Sequence, residues 1–379
     1  MHRRQKIWRF LYMLFRPFLV RRFALTAEPC KVEGPCLIVA NHVTNYDPLL
    51  LAMSFADTPI RFVASEHIFR HGLISRLLEK LVAPIPRRKG AAGADTVRSV
   101  LRAIKDGETV CVFAEGDATW DGLTHPVFPA TGKLVRSSGA TLVTYRLEGG
   151  YLSSPRWSKH MRRGRMRGGA VGIYPPETLK GMKGPEITRL IDRDLFEDAW
   201  ARQRKEHVRF RAKHRAEGIE RGFFLCPRCK KLGTVKGVGD RVTCPCGLDL
   251  LYTEEGFFEP KEPFETLAKW DAWQTEALRD MSFPAGEPVF SDAKVRGRQL
   301  GQDHGERALG TDTLVQEPDA LCWGSLRFPL ADIRSMAMVK ANILLLTVGD
   351  SYYEFRTGKA CCLRKYLSFW QTRGAGETE

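Results

Sequence analysis

Two apolar runs, Leu37–Ala40 and Leu49–Phe55, are separated by the polar octet Asn41-His42-Val43-Thr44-Asn45-Tyr46-Asp47-Pro48. The first run opens with Cys36 after Gly34-Pro35 and is short and β-branched, which predicts a buried strand rather than a helix. Asp47-Pro48 has the composition of a helix start, with aspartate at the N-cap and proline at the first helical position. A helix over about 48–55 follows from it. Strand, turn and helix in succession hold His42 and Asp47, five residues apart, near a helix N-terminus. In that geometry the carboxylate accepts a proton from one ring nitrogen and leaves the other open, the base-and-orienter half of a catalytic triad. No serine or cysteine lies between the two, so the substrate supplies the nucleophile. A polar turn with a capping aspartate and a surface histidine is the alternative that this short spacing leaves open.

The same alternation continues downstream. Strands are expected at 60–64, 109–113 and 141–145, and helices at 72–81 and 96–105. Strands alternating with helices point to an α/β domain over residues 26–200. The segment Val82–Ile85 leads into Pro86 and the cations Arg87, Arg88 and Lys89, a cluster suited to a phosphate because guanidinium binds it bidentately. A solvated basic turn is the plainer reading of that cluster. The apolar run Thr109–Phe113 ends at Ala114-Glu115-Gly116-Asp117, a carboxylate and a flexible glycine at the strand end where open α/β sheets bind ligands. Lys133 opens the next expected helix.

At 379 residues with 43% hydrophobic content the chain has material for two or three packed domains. Its 59 Lys and Arg against 44 Asp and Glu leave a formal charge of +15, which favours anionic partners: phospholipid headgroups, nucleic acid or phosphorylated substrates. Residues 1–25 hold seven cations, no acid, and many large apolar side chains. Arg9 and Arg16 interrupt the apolar stretch, which falls short of the roughly 20 residues that span a bilayer. The composition predicts an interfacial amphipathic helix, kinked or ended at Pro17. With ten cysteines and no secretory signal, the expected compartment is the reducing cytoplasm, where thiols or metal sites are expected over disulfides.

After a heavily charged stretch, expected as one long helix over 192–217 with a connector at 201–221, a distinct module spans 222–258. Cys226 and Cys229 are followed, after fourteen residues, by Cys244 and Cys246. Two close pairs around the hairpin Gly237-Val238-Gly239-Asp240 have the spacing of a four-thiolate zinc ribbon, with a structural zinc, although the second pair is one residue short of CxxC. Residues 259–379 read as a helix over 264–279 and short strands at 320–323, 325–328, 333–339, 343–348 and 352–355, closed by a helix over 360–372. That pattern resembles a pleckstrin-homology or GRAM-type β domain.

Asn41-His42 with Asp47, then Pro86-Arg87, then Phe113-Ala114-Glu115-Gly116, resemble in order and spacing the motif blocks of the glycerolipid acyltransferases, in particular the 1-acylglycerol-3-phosphate acyltransferases. The resemblance covers about residues 25–180. It implies a mixed sheet flanked by helices and the transfer of a fatty acyl group from acyl-CoA or acyl carrier protein to a hydroxyl of a lysophospholipid acceptor. His42 would then be the general base and Asp47 its orienter. Arg87, Arg88, Glu115, Gly116 and Lys133 would form the acceptor side, Arg87 acting through a phosphate. Localisation at the cytoplasmic face of a membrane, peripheral or monotopic, goes with it. The third block departs from the family: Ala114 replaces a proline, and Asp117-Ala118-Thr119 replaces Thr-Arg-Ser. One phosphate-binding arginine is therefore missing, and Asp117 would repel a phosphate unless Arg88, Lys89 or Lys133 compensates. A nucleic-acid-binding zinc-ribbon adaptor is the rival reading of the basic patches. Against it, binding nucleic acid does not require the ordered set His42, Asp47, Arg87 and Glu115. A degenerate acyltransferase fold acting as a lipid-binding regulator is the third.

Overall fold

The computed structural model describes residues 2–65, 83–87, 93–284, 286–301, 306–358 and 361–373. The helix expected over 72–81, and the cations Arg88 and Lys89, lie outside the described residues. The chain divides into two compact units, one drawn from residues up to Ala212 and the other from Trp157–His160 and Lys213–Glu379.

The first unit is built on a seven-stranded sheet in the order β1-β7-β6-β2-β5-β3-β4. Its strands are β1 (Leu25–Ala27), β2 (Cys36–Ala40), β3 (Ile60–Ser65), β4 (Ile85–Arg87), β5 (Thr109–Phe113), β6 (Thr141–Glu148) and β7 (Met166–Tyr174). All neighbours pair in parallel except β6 with β7, which makes the sheet mixed. Central β2 is buried along its whole length, as a parallel strand covered on both faces must be. Its alternate residues feed two cores. Cys36, Ile38 and Ala40 pack with Trp8, Leu19, Phe23, Leu50 and Leu51, whereas Leu37 and Val39 pack with Val100, Ile104, Val135, Ile187 and Ile191. Helices therefore cover each face.

Several local expectations change. The N-terminal helix runs from His2 to Phe23 straight through Pro17. One face is committed to the unit's own core: Trp8, Leu19 and Phe23 are buried, and Trp8 Nε1 donates to the Phe55 carbonyl at 2.7 Å. Phe10, Met13, Leu14, Phe15 and Phe18 remain exposed on the same helix. Among the described residues no helix is long and apolar enough to cross a membrane. The helix after the polar octet covers Asp47–Ala52, with Tyr46 rather than Asp47 at its N-cap. The single helix expected over 192–217 is instead two, Gly184–Leu195 and Ala199–Glu206. Asp198 starts the second by accepting from the Trp200 and Ala201 amides, each at 2.9 Å, and the helix stops at His207 in a left-handed conformation. High charge alone carried the longer expectation, and a capping aspartate outweighs it locally.

The second unit holds two antiparallel sheets. The smaller, in the order β11-β10-β9-β8, contains the hairpin β8 (Lys236–Val238) and β9 (Arg241–Cys244), then β10 (Leu248–Tyr252) and β11 (Phe258–Glu259). The larger has seven strands in the order β15-β14-β13-β12-β18-β17-β16. Five of them, β14 (Ala320–Trp323), β15 (Leu326–Pro329), β16 (Ile333–Val339), β17 (Ile343–Val348) and β18 (Ser351–Arg356), match the short runs read from sequence. β12 (Phe290–Leu300) and β13 (Glu306–Gln316) do not appear in that reading. Register shifts between Asp292 and Val295, and between Gly297 and Arg298, break the two-residue alternation that announces a strand.

Candidate active site and metal centre

β2 ends at Ala40 opposite Phe113, the last residue of its parallel neighbour β5. His42 and Glu115 each follow two residues beyond these ends, and Arg87 closes β4 in the same parallel set. Three separate segments thus meet at the carboxyl edge of the sheet, where strand ends leave side chains unconstrained by the ladder.

Asp47 is wholly buried. Its carboxylate takes the His42 Nδ1 contact at 2.7 Å, the Val43 amide at 2.6 Å, the Thr44 amide at 3.0 Å and the Thr44 hydroxyl at 2.8 Å. A charge taken out of water is tolerable only with such a set of donors. The consequence for His42 is a held ring, its centroid 4.8 Å from that of Phe113 and tilted 31° to it, with Nε2 directed away from Asp47 and the side chain 21% exposed. Asn41 extends the sheet beside it: its side chain donates to the Leu147 carbonyl at 2.9 Å and accepts from the Leu147 amide at 2.8 Å, imitating one more backbone pair between β2 and β6.

Glu115 binds the same loop from the other side. Its two oxygens accept from the His42 amide at 2.6 Å and the His125 amide at 2.9 Å. Burial pushes this carboxyl up to about 7, against the two amide hydrogen bonds, which pull it down. Gly116 turns with φ +81°, and a Cβ there would lie 2.6 Å from Phe128 and 3.9 Å from Arg87 Nη1. The Arg87 guanidinium covers the Phe128 ring at 4.8 Å, and its burial lowers its proton affinity while Asp117 raises it.

His42, Asp47, Glu115, Gly116 and Arg87 are therefore brought together. Lys133 sits on the helix Thr131–Ser138 with its stem against Gly184. Arg156 is the cation that sequence reading missed. Its Nη1 pairs with Asp117 Oδ2 at 2.9 Å and donates to the Ala118 carbonyl at 3.3 Å, and the guanidinium lies 4.4 Å over Trp120. Nothing local in sequence links it to a turn 39 positions earlier; an acid in need of a counter-ion was the only signal. An open cleft of about 560 Å³ near Pro35, Leu101 and Thr141 lies at the opposite sheet edge and holds none of these residues.

In the second unit, Cys226, Cys229, Cys244 and Cys246 offer four sulfurs within 4.8 Å of one another. Cys226 and Cys246 are 3.6 Å apart, Cys229 and Cys244 3.8 Å. A tetrahedron of sulfurs about 2.3 Å from a zinc ion has edges of about 3.8 Å. The donor set fits such an ion, and the missing residue in the second pair is absorbed at a turn closed by the Gly247 amide on the Cys244 carbonyl at 3.0 Å.

Residues 22–148 match the family described as Acyltransferase. The chain carries an acyltransferase domain. The 1-acyl-sn-glycerophosphate (LPA) acyltransferase PlsC from Thermotoga maritima is a similar solved structure, at 17% identity and a TM-score of 0.44 over 54% of this chain and 84% of that one. Within the acyltransferase domain, both sides of the His42 loop are pinned, by Asp47 and by Glu115.

Glu115 gives a pH test. A carboxyl whose folded value lies above its unfolded one binds more protons when folded, so its contribution to stability falls as pH rises between the two. Unfolding of the wild type should lose stability from about pH 4.5 to about 7 relative to Glu115→Gln, which does not titrate. Thermal midpoints of both proteins across pH 5 to 8 check this; a wild-type midpoint that stays level with or rises relative to that of Glu115→Gln as pH increases contradicts the assignment.

Proposed function

We propose that this domain transfers a fatty acyl group from acyl-CoA or acyl carrier protein to a hydroxyl of a lysophospholipid of the 1-acylglycerol-3-phosphate class. The contact of His42 Nδ1 with buried Asp47 at 2.7 Å carries the reading. A base whose orienter is buried and fully hydrogen-bonded keeps one tautomer, with Nε2 ready to take a proton.

The acceptor hydroxyl gives its proton to His42 Nε2 as its oxygen forms a bond to the thioester carbonyl carbon. The tetrahedral oxyanion then collapses, the carbon–sulfur bond breaks, and the imidazolium returns the proton to the departing thiolate. No acyl-enzyme is required. Asp47 holds the ring and stabilises the imidazolium. Glu115 positions His42 through its backbone amide rather than meeting the acceptor, since both of its oxygens are engaged by amides. Arg87 supplies the cation for the acceptor headgroup.

The exposed Phe10, Met13, Leu14, Phe15 and Phe18, on a helix with seven Lys and Arg nearby and no acid, support docking on an anionic bilayer from the cytoplasmic side. The four cysteines would hold a structural zinc, closed to catalysis by its four thiolates. Arg16, Arg21 and Arg22 belong to that helix, which gives basic character a role without nucleic acid.

Two measurements follow. His42→Ala should lower acyl transfer by about 10²- to 10⁴-fold while the circular dichroism of the full chain is kept; a folded variant with wild-type turnover refutes the base. Elemental analysis of the purified protein should find one zinc per chain, lost in Cys226→Ser with Cys246→Ser; zinc retained by that double variant excludes the four-cysteine site.

A further inference from the structure

The donors to Asp47 come from His42, Val43 and Thr44, so the loop closes on itself, and that closure does not fix where the loop stands on the sheet. Its anchorage lies on either side. β2 ends at Ala40, paired with Tyr145 of β6, and Leu147 stands two residues further along β6. The Asn41 side chain reaches it, donating from Nδ2 to the Leu147 carbonyl at 2.9 Å and accepting at Oδ1 from the Leu147 amide at 2.8 Å. Both residues are wholly buried. A carboxamide carries a donor and an acceptor side by side, so it can serve the N–H and C=O of one residue at once. Without it, two buried backbone groups would lose their partner.

The opposite side of the loop is held by the segment after β5. The His42 amide donates to Glu115 at 2.6 Å, and the His42 carbonyl accepts from the Thr119 amide at 3.0 Å. Both backbone groups of His42 are thus tied toward β5, while the side chain just before it is tied toward β6. The two sets of bonds have separate consequences. Asp47 determines which ring nitrogen carries the proton; Asn41 determines where the ring stands at the sheet edge.

Resting on the acyl-transfer reading, we propose that Asn41 is a positioning residue for that reaction, fixing the approach of His42 Nε2 to the acceptor hydroxyl by standing in for a backbone pair between β2 and β6. It touches no substrate and acts through the chain bond to His42. Proton transfer is sensitive to such placement, since a shift of about 1 Å can cost on the order of 10²-fold in rate. Substrate affinity, made by other residues, should not change.

The test compares Asn41→Ala and the isosteric Asn41→Asp with Thr144→Val, all in the full chain. Asn41→Asp keeps an acceptor for the Leu147 amide but sets an oxygen against the Leu147 carbonyl, and it reads the same effect where the alanine variant does not fold. Thr144 is equally buried on β6, but its hydroxyl donates to Asp194 Oδ2 at 2.8 Å, on the helix Gly184–Leu195. Its loss removes a buried hydrogen bond without touching the His42 loop. With 1-acylglycerol-3-phosphate and a long-chain acyl-CoA in neutral detergent micelles, both Asn41 variants should lose about 10- to 100-fold in kcat at unchanged KM for either substrate. Thr144→Val should keep the wild-type kcat. NMR gives a readout without turnover: the carbon-bound ring protons of His42 lie in the field of the Phe113 ring, 4.8 Å away between centroids. In the Asn41 variants they should move toward ordinary histidine positions while the ring proton stays on Nδ1. Wild-type kcat in a folded Asn41 variant, a loss carried by KM, an equal loss in Thr144→Val, or unmoved His42 ring protons overturns the positioning role. Moved ring protons with no transfer by the wild type support that role and defeat the acyl-transfer reading alone. Wild-type transfer with kcat and ring protons unmoved in the variants defeats the positioning role alone, and no transfer with unmoved protons defeats both.

Discussion

The buried carboxylate of Asp47 is the constraint on which the site depends. An ion held away from water costs several kcal/mol unless its lone pairs are occupied, and here the Val43 and Thr44 amides, the Thr44 hydroxyl and His42 occupy them. The octet between β2 and the helix Asp47–Ala52 therefore has one way to fold. It must wrap around the carboxylate, and in doing so it aims the imidazole. The loop closes around its own acid through four hydrogen-bond donors.

The sheet supplies what the loop cannot. Parallel pairing of β2 with β5 brings Phe113 beside Ala40, so Glu115 reaches the His42 amide and Gly116 passes close under Arg87. Raised to about 7 by burial, Glu115 marks how dry this edge is. The same dryness strengthens the interactions of the charges held at this edge.

How much of this was legible in sequence follows from the range of each interaction. β2 and the octet could be read because burial on both faces leaves an uninterrupted β-branched run and because His42 and Asp47 lie within one turn. The four cysteines could be read because metal-ligand spacing is local within each pair. Arg156 could not, since it meets Asp117 only through the fold. The engagement of Glu115 by two backbone amides was equally hidden, because a carboxylate at a strand end looks the same whether it faces a ligand or a loop. β12 and β13 were lost to bulges that shift the face of each residue.

The central claim is that Asp47 fixes His42 as a base with Nε2 open, and the tautomer of that one ring tests it most directly. Nitrogen-15 NMR of the histidine-labelled protein at pH 8, with His42→Gln to assign the signal, should show the proton on Nδ1 and a bare Nε2. Asp47→Asn should disturb that preference. A wild-type His42 carrying its proton on Nε2 would contradict the account, because the nitrogen meant to receive the acceptor's proton would already hold one.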